Sequence, residues 1–423
     1  MIYVYRLILN LAIPFGLLGL AFRGFKNSAY WHRWPERFGF ANTVVKQAAP
    51  FDLWVHAVSV GEVRAATPLI ERFIQENPEL SILLTTTTPT GSSMVKMMLQ
   101  DKVAHCYFPY DLRWAMKKFI AIVNAKTVLI METEIWPNMI AVVKQAGSTL
   151  IYTNVRLSER SYLRYAKFPT WVGQTLDQID HFAVQGKLDT KHLMALGVAR
   201  DKISETGSIK FDFNVPAGLR GSAEALRQQL GQNRQIWIAG STREGEESKI
   251  LAVHKQLKAL FPTLLLILVP RHPERFDQVA RKIQKQDLVC ARRSSGDIEL
   301  DASMDVYLGD TMGELSLMYA CSDVAFVGGS LEPLGGQNIL EPCALGVPVT
   351  FGPHMFNFPD ISQWTIKEGA GRMVQNADEL FVVVRELLSK PNVRGEMGDK
   401  GMAFIEAHRG SLEKNHALIK SLT

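Results

Sequence analysis

An α/β fold of two Rossmann-like halves is what this 423-residue sequence predicts, and three observations predict it. Short β-rich apolar runs alternate with amphipathic helical stretches, a polar Gly-containing segment interrupts them midway, and the alternation then restarts. Strands separated by helix-length segments make βαβ units, hence parallel sheets whose ligands bind at the carboxyl ends of the strands. The chain is also too long for one ordinary core, and two domains of about 200 residues are the natural division.

Residues 1–40 form an arm of their own. Arg6, Arg23, Lys26, Arg33 and Arg37 face only Glu36 there, so most of the formal charge of +5 is local to this stretch. A nucleic-acid footprint would spread Lys and Arg over a domain face, whereas a basic cluster beside an apolar run suits an anionic membrane surface. That run, Leu7–Phe22, contains Asn10, Pro14 and two glycines, and its 16 residues fall short of the ~20 that cross a bilayer. Arg23, Lys26 and Tyr30-Trp31-His32-Arg33-Trp34 follow it instead of a cleavage site. The expectation is an uncleaved anchor or interfacial helix, with Trp31 and Trp34 at headgroup depth and the body held in the cytoplasm by the positive flank; a buried core helix is the bland alternative. Four scattered cysteines, with no short-spaced pair, fit a reducing compartment.

In residues 41–215 the strands read Phe51–Val58, Leu80–Thr85, His105–Phe108, Thr127–Met131, Thr149–Thr153 and His181–Val184, with helical patterns such as Val63–Gln75 and Trp114–Val123 between them. The polar segment Asn214–Gly231 marks the boundary. In residues 216–423 strands follow at Gln235–Ala239, Leu264–Val269, Asp305–Leu308, Val324–Val327 and Val347–Phe351. Two such halves facing each other would leave a cleft for chemistry.

The candidate residues lie at strand ends. Val324–Val327 runs into Gly328-Gly329-Ser330, and Asn338 precedes a helical pattern Ile339–Leu345 with Glu341 in its first turn. Glycines there let the backbone approach a phosphate, and Glu341 can accept hydrogen bonds from ribose hydroxyls; a plain Gly-rich connection with a dipole-favoured Glu fits equally well. No G-x-G-x-x-G follows the first strand of either half, which argues against NAD. Arg271 leaves the sheet after Pro270, placed to neutralise an anion, and His272 beside it suits packing or capping. Met312-Gly313-Glu314 opens another helix, and Gly240-Ser241-Thr242-Arg243 offers small residues and hydroxyls to a phosphate. In the first half Ser59 and Glu62 have capping-box spacing, which is reason enough for both residues. The functional alternative makes Glu62 a general base, kept ionised by the helix N-terminus. Glu132 and Glu134 are rival carboxylates. Arg156, Ser158 and Arg160 offer donors to an anionic acceptor, or form a solvated charged helix start.

Taken together, these segments resemble the Kdo transferases, which move 3-deoxy-D-manno-octulosonic acid from CMP-Kdo onto lipid A precursors in lipopolysaccharide assembly. The matching stretches are His56–Glu62 with Val63-Arg64-Ala65-Ala66, Met131–Asn138, Asn154–Ser161, Pro270–Arg275, Met312–Leu315, and Gly328–Pro342 with Gly346-Val347-Pro348. The resemblance implies a GT-B architecture with an N-terminal hydrophobic membrane-association segment, an acceptor domain first and a CMP-sugar domain second. In such enzymes a C-terminal helix crosses back to the first domain, and Ser411–Leu422 is the candidate. The family's base corresponds to Glu62, and its CMP contacts to Pro270, Arg271, Met312, Gly313, Glu314, Asn338 and Glu341. The partners implied are CMP-Kdo, an anionic lipid A precursor and the cytoplasmic face of the bacterial inner membrane. No D-x-D pair stands ready to hold a divalent metal, so neither a metal nor a cofactor is expected to be obligatory. The rival readings are a soluble UDP-sugar epimerase or UDP-sugar transferase on the same fold, and a non-catalytic membrane protein that senses a nucleotide.

Overall fold

The computed structural model describes residues 1–212, 215–296 and 303–423, so Asn214, where the expected linker begins, lies outside the described residues. The chain divides into two compact units, Met1–Asp212 with Arg409–Thr423, and Phe213–His408.

The sheet of unit 1 has seven parallel strands: β1 (Leu53–His56), β2 (Ile82–Thr86), β3 (Ala104–Tyr107), β4 (Thr127–Met131), β5 (Thr149–Val155), β6 (His181–Val184) and β7 (Ile203–Glu205). Their spatial order is β3-β2-β1-β4-β5-β6-β7, so the winding reverses between β1 and β4. Every residue of β1, β2 and β4 is buried, as parallel strands covered on both faces must be. Alternation along these strands feeds two cores. Trp54, Val128 and Ile130 pack in one, and Leu53, Val55, Leu129 and Met131 in the other.

The helix Val60–Glu76 follows β1 and buries Val63, Ala66, Leu69 and Ile70, an i, i+3, i+6, i+7 stripe against the second core. The helix Ser411–Leu422 packs on it within unit 1, with Arg72 to Glu413 and Lys420 to Glu76 both at 3.0 Å. Asn415 accepts a buried hydrogen bond from Thr153 at 2.7 Å, and Ile419 is 1% exposed among the core residues Leu53 and Val55. The junction is close: a Cβ on Gly207 would stand 2.3 Å from Ser411 Oγ, and its φ of +85° also demands glycine.

The N-terminal helix differs from its expectation. It runs Ile2–Lys26, with an apolar stretch of 24 residues, Ile2–Phe25. At ~1.5 Å per residue that stretch is about 36 Å long, so the shortfall expected of Leu7–Phe22 does not hold. Pro14 is tolerated inside it. Ile2 to Leu7 continue the helix because Arg6 and Tyr5 find partners on the body instead of breaking the run.

Unit 2 repeats the plan with β8 (Ile236–Thr242), β9 (Leu265–Pro270), β10 (Cys290–Arg292), β11 (Val306–Leu308), β12 (Val324–Val327), β13 (Val349–Phe351) and β14 (Gly371–Met373). The order is β10-β11-β9-β8-β12-β13-β14, all parallel, with the reversal between β8 and β12. Three strands have no counterpart in the sequence reading: β7, β10 and β14 are three residues each and only partly buried, so they lack the unbroken apolar run that marks the equally short β11 and β13.

The packing of the last helix makes a quantitative expectation. Ile419→Ala removes a fully buried side chain and lowers the stability of unit 1 by ~2–4 kcal/mol in chemical denaturation.

Candidate active site

In a doubly wound sheet the crevice at the reversal point is where ligands bind, because the loops leaving the two flanking strands diverge there. In unit 1 those strands are β1 and β4. β1 delivers His56-Ala57-Val58-Ser59 and the start of the helix Val60–Glu76, while β4 delivers Glu132-Thr133-Glu134.

Ser59 caps that helix, its Oγ accepting from Glu62 N at 3.4 Å and donating to Glu62 Oε1 at 2.9 Å. Glu62 Oε2 accepts from Val58 N at 2.7 Å. The capping-box geometry is therefore real, and the carboxyl group that makes it is 7% exposed. Burial pushes its pKa up to about 7, the charge on Glu132 adds to the rise, and the Val58 N–H and Ser59 hydroxyl only partly oppose them. This corrects the expectation that a helix N-terminus keeps Glu62 firmly ionised: desolvation and a neighbouring carboxylate outweigh the dipole. A carboxyl group that titrates near neutrality is suited to exchanging protons. Burial likewise pushes Glu134 up to about 6.

Glu132 occupies the left-handed region, φ +57°, at the end of β4. For a glutamate this is strained backbone, and such strain concentrates at functional sites. Lys210 holds its side chain, Nζ to Oε1 at 2.9 Å. Asn154, itself at φ +54°, holds the segment that carries Lys210 by accepting from Ile209 N at 3.2 Å. Sequence reasoning missed Lys210 because β7 was not read and the partner, Glu132, lies 78 residues away in the chain.

His56 is fully buried, stacks on Phe108 with ring centroids 3.9 Å apart, and has Nδ1 2.9 Å from Thr85 Oγ1. Burial pushes its pKa down to about 3, so it stays neutral and serves packing. Arg156, Ser158 and Arg160 follow β5 at the same carboxyl edge. Ser158 caps the helix Glu159–Tyr165, Arg160 is exposed, and the Arg156 carbonyl accepts from Thr133 at 2.5 Å.

In unit 2 the reversal lies between β8 and β12, and the glycine run leaves β12 there. A Cβ on Gly328 would stand 2.6 Å from Thr242 Cα, so only glycine lets the two strand ends meet. The run is held by a residue absent from the sequence candidates. Glu246 is 0% exposed, and its carboxylate accepts from Arg243 N (2.8 Å), Gly329 N (2.7 Å), Ser330 N (2.9 Å) and Leu331 N (3.0 Å). Burial pushes its pKa upward and those four N–H donors pull it back. Ser241, at φ +57°, and Thr242 are both buried, so the hydroxyls expected to meet a phosphate are not presented; of that run Arg243 is the partly exposed member.

The other nucleotide candidates reach the same edge. Pro270 ends β9, and Arg271 N donates to Thr242 O at 3.0 Å. His272 sits 3.8 Å from Glu274. Met312, 67% exposed, and Gly313, φ +86°, precede Glu314. The Arg293 guanidinium, 2.7 Å from Glu314, holds that carboxyl below its usual range. Ser316 donates to Glu341, and the buried Tyr319 phenol senses the charges of both Glu341 and Arg271. Asn338 Oδ1 accepts from Leu340 N at 3.1 Å, at the first residue of the short helix Leu340–Ala344. Arg293 and Ser316 were missed because their partners lie 21 and 25 residues away.

Residues 32–213 match a family described as 3-deoxy-D-manno-octulosonic-acid transferase (kdotransferase). The chain is 40% identical to the 3-deoxy-D-manno-octulosonic acid transferase of Haemophilus influenzae over 99% of this chain and 98% of that one. It is 35% identical to the enzyme of the same name from Bordetella pertussis over 97% of each. Among solved structures, the UDP-GlcNAc 2-epimerase from Neisseria meningitidis bound to UDP-GlcNAc matches with TM-score 0.57 and 14% identity, over 88% of this chain and 98% of that one. At that identity the likeness is of fold, and the fold is GT-B-like.

Two measurements probe this chemistry. Glu246→Ala strands three buried N–H groups and a fourth that is partly buried, and lowers stability by more than ~3 kcal/mol in denaturant titration, while Glu246→Gln, which keeps an acceptor oxygen, loses less. For Glu62 the folded pKa of about 7 exceeds the ordinary 4.5, so the fold favours the protonated form and wild-type stability falls as pH rises from about 4.5 through 7. Glu62→Gln is therefore more stable than wild type at pH 8 by ~1–3 kcal/mol, and the difference closes near pH 4.5.

Proposed function

This chain belongs to the 3-deoxy-D-manno-octulosonic acid (Kdo) transferase family, and from that premise we propose that it moves Kdo from CMP-Kdo onto a lipid A precursor, lipid IVA, with Glu62 as the general base. The observation that carries the reading is the position of Glu62: buried, at the reversal point of the first sheet, with a pKa near neutrality and two further carboxylates beside it. The family's members are glycosyltransferases of lipopolysaccharide biosynthesis.

The reaction is a direct inverting displacement. Glu62 takes the proton from an acceptor hydroxyl as that oxygen bonds to the anomeric carbon of Kdo. The bond from that carbon to the CMP phosphate oxygen breaks, and CMP departs with the electron pair. Arg271 and the backbone N–H groups of the Gly336–Asn338 segment stabilise the departing phosphate. Pro270, Met312, Gly313, Glu314, Asn338 and Glu341 complete the nucleotide contacts, Glu341 accepting from ribose. Arg156, Ser158 and Arg160 engage the anionic acceptor. Lys210 holds the Glu132 carboxylate in place, and the charge that Glu132 still presents keeps the Glu62 proton exchangeable near neutral pH. The basic, apolar arm attaches the enzyme to the cytoplasmic face of the inner membrane.

A general base contributes roughly 10²–10⁴-fold. Glu62→Gln therefore loses turnover by that factor while CMP still raises the melting temperature, and the wild-type rate climbs through an apparent pKa near 7. Near-normal turnover in that variant would transfer the role to Glu132 or Glu134, and stabilisation by UDP instead of CMP would overturn the choice of donor.

A further inference from the structure

The helix Ile2–Lys26 is long enough to cross a bilayer, yet both of its ends are tied to the same body. Near its start Tyr5 Oη donates to Asp111 Oδ2 at 2.8 Å, Arg6 Nε donates to Asn138 Oδ1 at 2.8 Å, and the Tyr5 ring lies 5.7 Å from that of Trp171. Near its end Leu20 is 5% exposed, and Gly24 closes on the Trp31 indole so tightly that a Cβ would stand 2.4 Å from the ring. Trp31 stacks on Trp34. The segment after it is fastened by Arg33 to His105 O (3.2 Å), by Tyr107 N to Glu36 (2.7 Å) and by Arg37 to Thr87 O (3.1 Å). A membrane-crossing helix would leave Tyr5 and Arg6 about 27 Å from Arg23 along the helix axis, on the far side of the lipid. Their partners Asp111 and Asn138 belong to the folded body.

The face turned away from these attachments is apolar. Ile8, Leu11, Phe15, Leu18, Phe22 and Phe25, spaced 3, 4, 3, 4, 3, are 58–81% exposed and make one continuous stripe. The same unit carries exposed aromatic and basic groups: Arg23 on the helix is exposed, Phe38 stacks on the half-exposed Trp114, and Lys118 sits 3.1 Å over the ring of Phe40. Apolar stripe, aromatic flank and cations are the composition of an element that lies at an anionic lipid surface. The attachment points also say which part of the body is held there. Asp111 follows β3 and Asn138 follows β4, both at the carboxyl edge that carries Glu62 and Glu132.

We propose that the helix Ile2–Lys26 lies in the plane of an anionic bilayer instead of crossing it, its Ile8–Phe25 stripe sunk among the acyl chains. Lying so, it holds the Glu62 edge of unit 1 against the headgroups. Resting on the transferase reading, this lets a lipid-borne sugar hydroxyl reach Glu62 while its acyl chains stay in the bilayer.

The test uses the full chain with a protease site before Met1 and another after Thr423, in inverted inner-membrane vesicles. Both sites are cut together if the helix lies in the plane; cutting after Thr423 with protection before Met1 overturns the proposal. Flotation with phosphatidylglycerol-containing vesicles supplies the second measurement. Phe15→Glu/Leu18→Glu/Phe22→Glu, all at exposed positions, loses at least tenfold in vesicle binding with its melting temperature unchanged. Undiminished binding, or a wild-type chain whose stripe is covered by a second copy in vesicle-free solution, overturns the proposal too. Neither readout uses catalysis, so a protein that lies in the plane and transfers no Kdo would sink the functional reading alone.

Discussion

Parallel pairing is the constraint on which the rest depends. A strand that must be followed by a parallel neighbour returns through a helix on one face, so every strand of a sheet ends at the same edge. Reversing the winding once, between β1 and β4 and again between β8 and β12, opens a gap at that edge which no crossover covers. The candidate residues lie at such edges: Glu62, Glu132 and Glu134 in unit 1, and Arg271, Glu314 and the glycine run in unit 2.

The two units solve opposite electrostatic problems there. Unit 2 has a turn of backbone N–H groups to satisfy where the glycine run leaves β12, and it does so with a buried carboxyl group. Glu246, buried beneath the glycine run, turns Gly329, Ser330 and Leu331 into one arch and ties that arch to Arg243. Unit 1 crowds carboxyl groups that repel one another: burial and the neighbouring charge push the Glu62 pKa up, and Lys210 pairs with Glu132. The left-handed backbone at Glu132 and Asn154 belongs to the same arrangement, since it turns each side chain off its strand toward the Lys210 segment.

How much of this was legible in the sequence follows from the range of each interaction. Strands such as Thr127–Met131 and Val324–Val327 announce themselves because both faces are buried and the apolar run is unbroken. The capping relation of Ser59 and Glu62 is legible because it spans three residues. Glu246 was not, because three of its partners lie 83, 84 and 85 residues downstream and, seen locally, it is only an acid in the first turn of a helix. The protonation of Glu62 was misjudged for the same reason: the helix terminus is local and visible, while the opposing burial and the charge on Glu132, 70 residues on in the sequence, are products of the fold.

The return of Ser411–Leu422 to the first unit has a consequence for how the chain is made. Unit 1 lacks the helix that covers Phe73 and Leu53 until residues 409–423 leave the ribosome. Unit 2, continuous from Phe213 to His408, has all of its strands beforehand. The vectorial order is thus inverted: the part synthesised second is the first that can close, and the part synthesised first waits with an uncovered apolar surface for its final segment.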